Sequence, residues 1–316
     1  MFLSIGNINF DYLIFTKEPP VIDGRIEARN FVIESGGSAC NFAVTITKLG
    51  GKCGVFGCVG RDGDWLIKRL KEKKVEASEI IKVAERESGK VFVIVDLKGH
   101  RTMIAYKGAN EFLKPELIKK LNLEKYVHVH VSSREPCFIN EIYMRIGDKH
   151  DITLSYDPGS TIVKRESGEI LNILDKLDFL LMNRREFGYF IKTNNITDIT
   201  KLFSKFQKLK FILVKEGEKG AKAIHGKKII NVPAFKVSVV DTTGAGDVFN
   251  AATIFSLKNG FSIKEALIVG NAAAAFKITK VGAQAAPSTM ELCNFLKERG
   301  FERIALKIQN WRLGND

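Results

Sequence analysis

The sequence predicts an α/β protein: a mostly parallel sheet sandwiched by helices, with a small second β-sheet beside it. Three observations predict this. Short apolar runs of strand character alternate with amphipathic helical stretches through most of the 316 residues. Two stretches break the alternation with strand-like pieces that no helix follows. No repeat, low-complexity tract or Pro/Ser/Gly-rich linker divides the chain, so 1–316 reads as a single domain. Parallel neighbours need crossovers, and helices supply them on both faces of the sheet.

Phe2–Ile5 is the first strand. Residues about 11–35 carry strand pieces, Tyr12–Thr16 and Ile26–Glu34, around Pro19-Pro20 and Asp23-Gly24. Asn41–Leu49 reads as a helix, Lys52–Val59 as a strand and Asp64–Lys73 as a helix. Residues 90–107 read as a hairpin, with Lys90–Asp96, a turn at Lys98-Gly99-His100, and Arg101–Lys107. Tyr126–Val131, Ile152–Tyr156, Phe179–Met182 and Phe211–Lys215 are further strands. Between them lie helices at Cys137–Asp148, Arg165–Leu174 and Ile199–Leu209. His225 falls in a hairpin, and Val237–Val240 reads as an apolar strand. The C-terminal third is helical at Gly246–Asn259, Ile263–Lys280 and Thr289–Arg299. The strands at about 11–35 and 90–107 fit no βα unit, so they are expected to form a small β lid.

The 45% hydrophobic and 27% charged fractions suit a globular core. No apolar run reaches the ~20 residues that span a bilayer, and the first residues lack a basic n-region and cleavage site, so a cytoplasmic protein without membrane contact is expected. The five cysteines are an odd count and read as apolar packing residues rather than a disulfide framework. His128 and His130 alternate along a strand without a third ligand, which reads as packing. The net charge of +13 is scattered over amphipathic segments, so no nucleic-acid partner is expected.

The strongest local signal is Asp241-Thr242-Thr243-Gly244-Ala245-Gly246-Asp247 at the start of a helix. Small residues at 244–246 let the backbone approach a ligand, and their N–H groups with the helix N-terminus favour an anion. A carboxylate at the mouth of such a turn can take a proton from a hydroxyl, although the same residue could simply cap the helix. In an open α/β sheet, ligands bind at the carboxyl ends of the strands, so the loops after each strand are the place to search.

This heptad resembles the C-terminal signature of the ribokinase (PfkB) carbohydrate kinase family, and the resemblance extends over nearly the whole chain. It implies a Rossmann-like (ribokinase-like) fold and a kinase that moves the terminal phosphoryl of ATP or ADP to an alcohol. In that reading Asp247 is the base, and Gly244, Ala245 and Gly246 stabilise the phosphoryl group. Ile5 through Asp11 is similar to the family's first strand and substrate loop, which implies that Asn9 and Asp11 hold sugar hydroxyls. Gly36-Gly37-Ser38-Ala39-Cys40-Asn41, with Gly50 and Gly60 through Asp64, resembles the N-terminal signature, in which Gly36, Gly37 and Asn41 touch the sugar. Gly108-Ala109-Asn110 closes the hairpin as in ribokinases. Arg134-Glu135-Pro136 is similar to an element whose Glu, here Glu135, binds substrate.

On the nucleotide side, Asn183-Arg184-Arg185-Glu186 resembles the Asn-x-x-Glu motif near the phosphates and Mg²⁺. Lys215 through Gly220 sits where the family places its nucleotide turn, which implicates Lys215, Gly217 and Gly220. Asn271 begins the similar adenine-side helix segment. The stretch Thr279 through Gln284 resembles the monovalent-cation loop, where carbonyls join Asp241 and Thr243. Lys277, Lys280 and Gly282 belong to that expected K⁺ site, or one of the lysines replaces the ion. Lid strands also offer edges for pairing, so a homodimer is expected.

The absence of G-x-x-x-x-G-K-[ST] and of G-x-G-x-x-G after the first strand argues against P-loop kinases and dinucleotide-binding dehydrogenases. Within the family, Ser38 stands where ribokinases carry Lys, and Ser155 through Ser160 resembles archaeal nucleoside kinases. The expected acceptor is therefore a nucleoside or ribose, phosphorylated on a primary hydroxyl. Arg134 keeps open an acceptor that already carries a phosphate, of the ribose 1-phosphate or fructose 6-phosphate type. A 2-keto-3-deoxy acid is a further alternative.

Overall fold

A computed structural model describes residues 1–98, 100–147 and 151–311. Gly99 of the expected hairpin turn and Asp148 at the expected end of a helix lie outside the described residues. In chain order the strands are β1 (Phe2–Ile5), β2 (Asn9–Thr16), β3 (Ala28–Gly36), β4 (Cys53–Phe56), β5 (Cys58–Gly60), β6 (Ile81–Val83) and β7 (Gly89–Val95). They continue with β8 (Arg101–Tyr106), β9 (His128–Ser132), β10 (Thr153–Asp157), β11 (Phe179–Asn183), β12 (Phe211–Lys215), β13 (Ala221–His225) and β14 (Lys228–Val232). The helices are α1 (Ser38–Lys48), α2 (Asp64–Glu72), α3 (Cys137–Ile146), α4 (Gly159–Asn172), α5 (Arg184–Thr193), α6 (Thr200–Lys205), α7 (Ala245–Lys258), α8 (Ile263–Ile278), α9 (Thr289–Lys297) and α10 (Glu302–Gln309).

The main sheet has eight strands in the order β14-β13-β12-β11-β10-β9-β1-β4. The six from β12 to β4 run parallel, and β13 and β14 add an antiparallel hairpin at one edge. Alternate residues of each strand enter opposite cores, because strand side chains point to opposite faces. Leu181 and Leu213 pack in the core that holds α1, α2 and α7 through α10. Leu180, Met182, Ile212 and Val214 pack in the core that holds α3 through α6. Burial on both faces is why these strands read as unbroken apolar runs rather than alternating ones.

The second sheet has the order β3-β2-β7-β8 and is made by the two stretches that broke the alternation. Its register sets which side chains share a face. Asp11 pairs with Val91 and Arg101 with Val95, so Asp11 and Arg101 point to the same side, together with buried Leu13 and Val93. The other side carries Tyr12, stacked on Phe31 and Phe92, and exposed Ile33 and Ile104.

Several bounds differ from those the sequence predicts. The expected strand at Lys52–Val59 is divided at Gly57, where a side chain would strike the Gly6 carbonyl at 2.7 Å. The expected helix at Arg165–Leu174 starts earlier, at Gly159. Val237–Val240 is not a strand: Val239 and Val240 are exposed, and the Val240 N–H donates to the Ile278 carbonyl of α8. His128 and His130 are buried, bonded to Thr153 and Ser155, and His130 stacks on Phe42. Burial pushes the imidazole of His130 down to about 3, which keeps it neutral.

Candidate active site

The strands β1, β9, β10, β11 and β12 end at Ile5, Ser132, Asp157, Asn183 and Lys215, and the site assembles at that edge of the sheet. The Asp241–Asp247 turn reaches the same edge, where Gly246 lies beside Lys215 and Asn250 of α7 donates to Asp157. Gly244 caps α7 with φ of 74°, and a side chain there would lie 2.5 Å from the Ala283 carbonyl. Only glycine combines that backbone with that approach. The Ala245 N–H closes the turn on the Thr242 carbonyl at 3.3 Å, so it is spent inside the turn. The N–H groups of Gly244, Gly246 and Asp247 meet no backbone acceptor among the described residues and remain for an anion.

Asp247 stands in the first turn of α7. Burial pushes its carboxyl up to about 7, the donated hydrogen bond of Asn41 Nδ2 at 2.8 Å pulls it back, Asp157 raises it and Lys215 lowers it. A base with a pKa near neutrality combines a large ionised fraction with real basicity. Asp11 faces the same space. Its carboxyl is also pushed up to about 7, by burial first and then by the charges of Asp247, Glu34 and Asp241. It has no hydrogen-bond partner among the described residues, and it lies against Gly36, where a Cβ would fall 2.0 Å from its Oδ2. Gly37 has φ of 95° and approaches the Asn7 carbonyl in the same way. The buried Asn41 Oδ1 has no partner, which leaves an acceptor beside the base.

The loop after β1 is held from below. Asn110 receives the Ile8 N–H on Oδ1 at 2.9 Å and donates through Nδ2 to Asn9 Oδ1 at 2.8 Å. Arg134, only 6% exposed, donates to the Asn110 carbonyl at 2.9 Å and to Asn7 Oδ1 at 3.3 Å. Glu135 instead pairs with Arg165 at 3.0 Å and with Arg134 at 3.7 Å. No contact among the described residues joins Glu135 to Asp247.

On the other side of the turn lies a cavity of about 560 Å³. Phe235, Val237, Val239, Ala274 and Ile278 give it apolar walls, and Lys215 and Gly246 stand at one end. Gly217, Gly220 and Asn271 also line it, and Asn271 Nδ2 holds the carbonyls of Val232 and Pro233. Lys215 Nζ pairs with Asp157 Oδ2 at 2.5 Å, and Asn250 donates to the same oxygen at 2.6 Å. Asn183 caps α5 in a capping box with Glu186. Burial and the Asp157 charge push the Glu186 carboxyl up.

Glu186 fits an indirect role toward Mg²⁺ better than direct ligation. Its Oε1 accepts from Ser160 and its Oε2 from the Asn183 N–H. No group of three or more metal-ligating side chains exists among the described residues. Mg²⁺ would therefore be held by the phosphates and water, where it neutralises phosphate charge.

The expected K⁺ site does not fit an ion. Lys277 Nζ donates to the Asp241 carbonyl at 2.6 Å and to Asp241 Oδ2 at 3.2 Å. Oδ2 also accepts from the Gly282 N–H and Oδ1 from the Thr243 N–H. Lys280 turns away to Glu291 at 3.0 Å. Sequence reasoning missed Asp157, Asn250 and Arg101. Asp157 ends a central strand and Asn250 lies one turn after Asp247 on α7, so both had a positional signal. Arg101, which donates to Thr243 Oγ1 at 2.9 Å, could be found only once the lid register was known.

The chain is 29% identical over 299 residues to an ATP-dependent ribose-1-phosphate kinase from Halopiger xanaduensis, covering 94% of this chain and 98% of that one. It is 31% identical to probable fructokinase-5 from Arabidopsis thaliana, covering 95% and 98%. Among solved structures, ribokinase from Thermotoga maritima superposes with a TM-score of 0.79 at 30% identity, covering 94% and 99%. A nucleoside kinase from Methanocaldococcus jannaschii gives 0.81 at 24%, covering 94% and 98%. Residues 1–290 match the pfkB family carbohydrate kinases, and the chain belongs to that family.

Proposed function

We propose that this kinase transfers the terminal phosphoryl group of ATP or ADP to the primary hydroxyl of a ribose-containing acceptor, with a nucleoside as the first expectation. The observation that carries the reading is the carboxylate of Asp247, raised toward neutrality and set at the mouth of an anion-binding turn. The apolar cavity suits a nucleotide base, and Lys215 with the free N–H groups of the turn suits its phosphates. The acceptor lies on the other side of Asp247. Asp11 and the unpartnered Asn41 Oδ1 offer acceptors to vicinal hydroxyls, and Asn9, whose Oδ1 is held by Asn110, offers its Nδ2 as a donor. Asp247 takes the proton of the attacking oxygen, and the N–H groups of Gly244 and Gly246 stabilise charge on the moving phosphoryl. The lid face that carries Asp11 and Arg101 closes the site against water.

A second reading is favoured by one residue. Arg134 is buried beside the acceptor loop, and its Nε faces only the Glu135 carboxylate, at 3.7 Å and beyond hydrogen-bond reach. A phosphate on the acceptor would give this cation a closer anion, as would fit the Halopiger relative, a ribose-1-phosphate kinase. Turnover of nucleosides, ribose, fructose, ribose 1-phosphate and fructose 6-phosphate with each donor separates the readings. A nucleoside should lead, and its 2′-deoxy analogue should lose about 10²-fold or more in kcat/KM, because buried polar groups are left unpaired. Arg134→Lys should raise KM for a sugar phosphate by roughly 5- to 20-fold more than for a nucleoside, the size of a charge-assisted bond, because both acceptors share the loop that Arg134 holds. Activity confined to 2-keto-3-deoxy acids would contradict both readings.

Self-association through the lid is the further expectation. On the face where half-buried Tyr12 and Phe92 stack, Phe31, Ile33 and Ile104 are exposed, an apolar strip that soluble monomers rarely keep. Light scattering should give twice the chain mass for the parent, and Phe31→Glu with Ile104→Glu should give the monomer. A monomeric parent would remove this proposal.

A further inference from the structure

The cradle around Asp241 contains a positive charge of the protein's own. Lys277 lies in the last turn of α8, and its side chain is 0% exposed. Its ammonium donates to both the carbonyl and the carboxylate of Asp241. The other contacts of that carboxylate are the N–H groups of Thr243 and Gly282, with Arg101 at 3.9 Å from Oδ1. Both oxygens and the carbonyl are therefore taken, and Lys277 supplies the direct positive charge on this half-buried carboxylate, with Arg101 farther off. The C-terminal end of a helix also favours a cation at this point.

The position has a consequence for the reaction. The Asp241 carbonyl begins the turn that presents Gly244, Gly246 and Asp247. The Asp241 N–H in turn donates to Ile278 of α8, the residue after Lys277. Lys277 thus ties the base-bearing turn to the helix whose Ala274, Ala275 and Ile278 wall the nucleotide cavity. An ammonium and a potassium ion are close in size and carry the same charge, so each can satisfy the same oxygens. They differ in that the ammonium is covalently held and needs no salt.

We propose that Lys277 takes the place of a monovalent cation in this kinase, positioning the anion-binding turn through Asp241 and making phosphoryl transfer independent of K⁺. Lys277 is a positioning residue, because it acts on the turn and not on substrate. The proposal rests on the kinase reading for its activity arm only.

The test compares the parent with Lys277→Ala and Lys277→Met in KCl, LiCl and choline chloride at constant ionic strength. The parent should turn over equally in all three. Lys277→Ala should lose roughly 10- to 100-fold in kcat in choline chloride, a typical coupling for one charged contact. KCl should restore most of that loss and LiCl should not, since the smaller ion cannot span the same oxygens. Lys277→Met, which fills the space without the charge, should show the loss without the rescue. Melting temperature supplies a readout that needs no substrate: KCl over choline should raise it for Lys277→Ala and leave the parent unchanged. If no acceptor is turned over, this melting arm still decides, and if Lys277→Ala fails to fold, the parent's own salt response decides. Activation or thermal stabilisation of the parent by KCl in particular would overturn the proposal, as would a Lys277→Ala defect indifferent to which cation is present.

Discussion

Replacing Asp247 with Asn is expected to leave a folded protein that binds nucleotide and to lower kcat by roughly 10²–10⁴, the range for loss of a general base. The fold should survive because the amide keeps the shape of the carboxylate and removes a buried charge held near neutrality only at a cost. Nucleotide binding should survive because the cavity walls and Lys215 are untouched. The pH profile gives the same residue a second signature. A base must be deprotonated, and burial holds this carboxyl at about 7, so kcat/KM should rise with pH and level off above about 7. The Asn41 hydrogen bond favours the ionised form, so Asn41→Leu should move the acid limb to higher pH. Turnover of Asp247→Asn within about threefold of the parent would place the base elsewhere.

The second large effect is expected at Lys215. Its ammonium and Asp157 form a largely buried pair at the cavity edge, with Asn250 on the same carboxylate oxygen. Lys215→Met removes one partner and strands the other charge, which costs about 3–5 kcal/mol of stability. The ordinary desolvation of a lysine would lower its pKa, yet the charges of Asp157 and Glu186 hold Lys215 above its usual range. Adding Asp157→Asn should restore most of the lost stability without restoring activity, because the positive charge facing the phosphates is still missing. Denaturant unfolding of the two single variants and the double variant checks this. Equal stability of Lys215→Met and the parent would mean that the pair is not closed in solution.

The parts of this site that the sequence showed are those written in short stretches. The turn from Asp241 to Asp247 needs glycine at a left-handed position against the Ala283 carbonyl, and that demand is visible in seven residues. The apolar strands were visible because both faces are buried, and Phe2–Ile5 and Phe211–Lys215 have the bounds expected. Contacts between distant segments were less legible. The resemblance put Lys277 and Lys280 near Asp241, but nothing in the helical pattern of α8 says which ammonium turns inward; Lys277 makes the contact, across 36 residues, and Lys280 pairs with Glu291. Glu135 reads as a substrate ligand by resemblance, whereas the structure gives its carboxylate to Arg165, 30 residues away. Val237–Val240 has strand composition, but its valines wall a cavity beside α8 instead of pairing with a strand. Apolar composition records burial against something and not the identity of the partner.

In the proposed reaction Asp247 deprotonates an acceptor hydroxyl for attack on a bound nucleotide. Mass spectrometry of the acceptor, after incubation with ATP or ADP and Mg²⁺, tests it most directly when parent and Asp247→Asn are run side by side. The parent should form an acceptor heavier by one phosphoryl group, carried on its primary hydroxyl, and Asp247→Asn should form far less of it. No phosphorylated acceptor with any sugar, nucleoside or sugar phosphate, or equal product from both proteins, would contradict it.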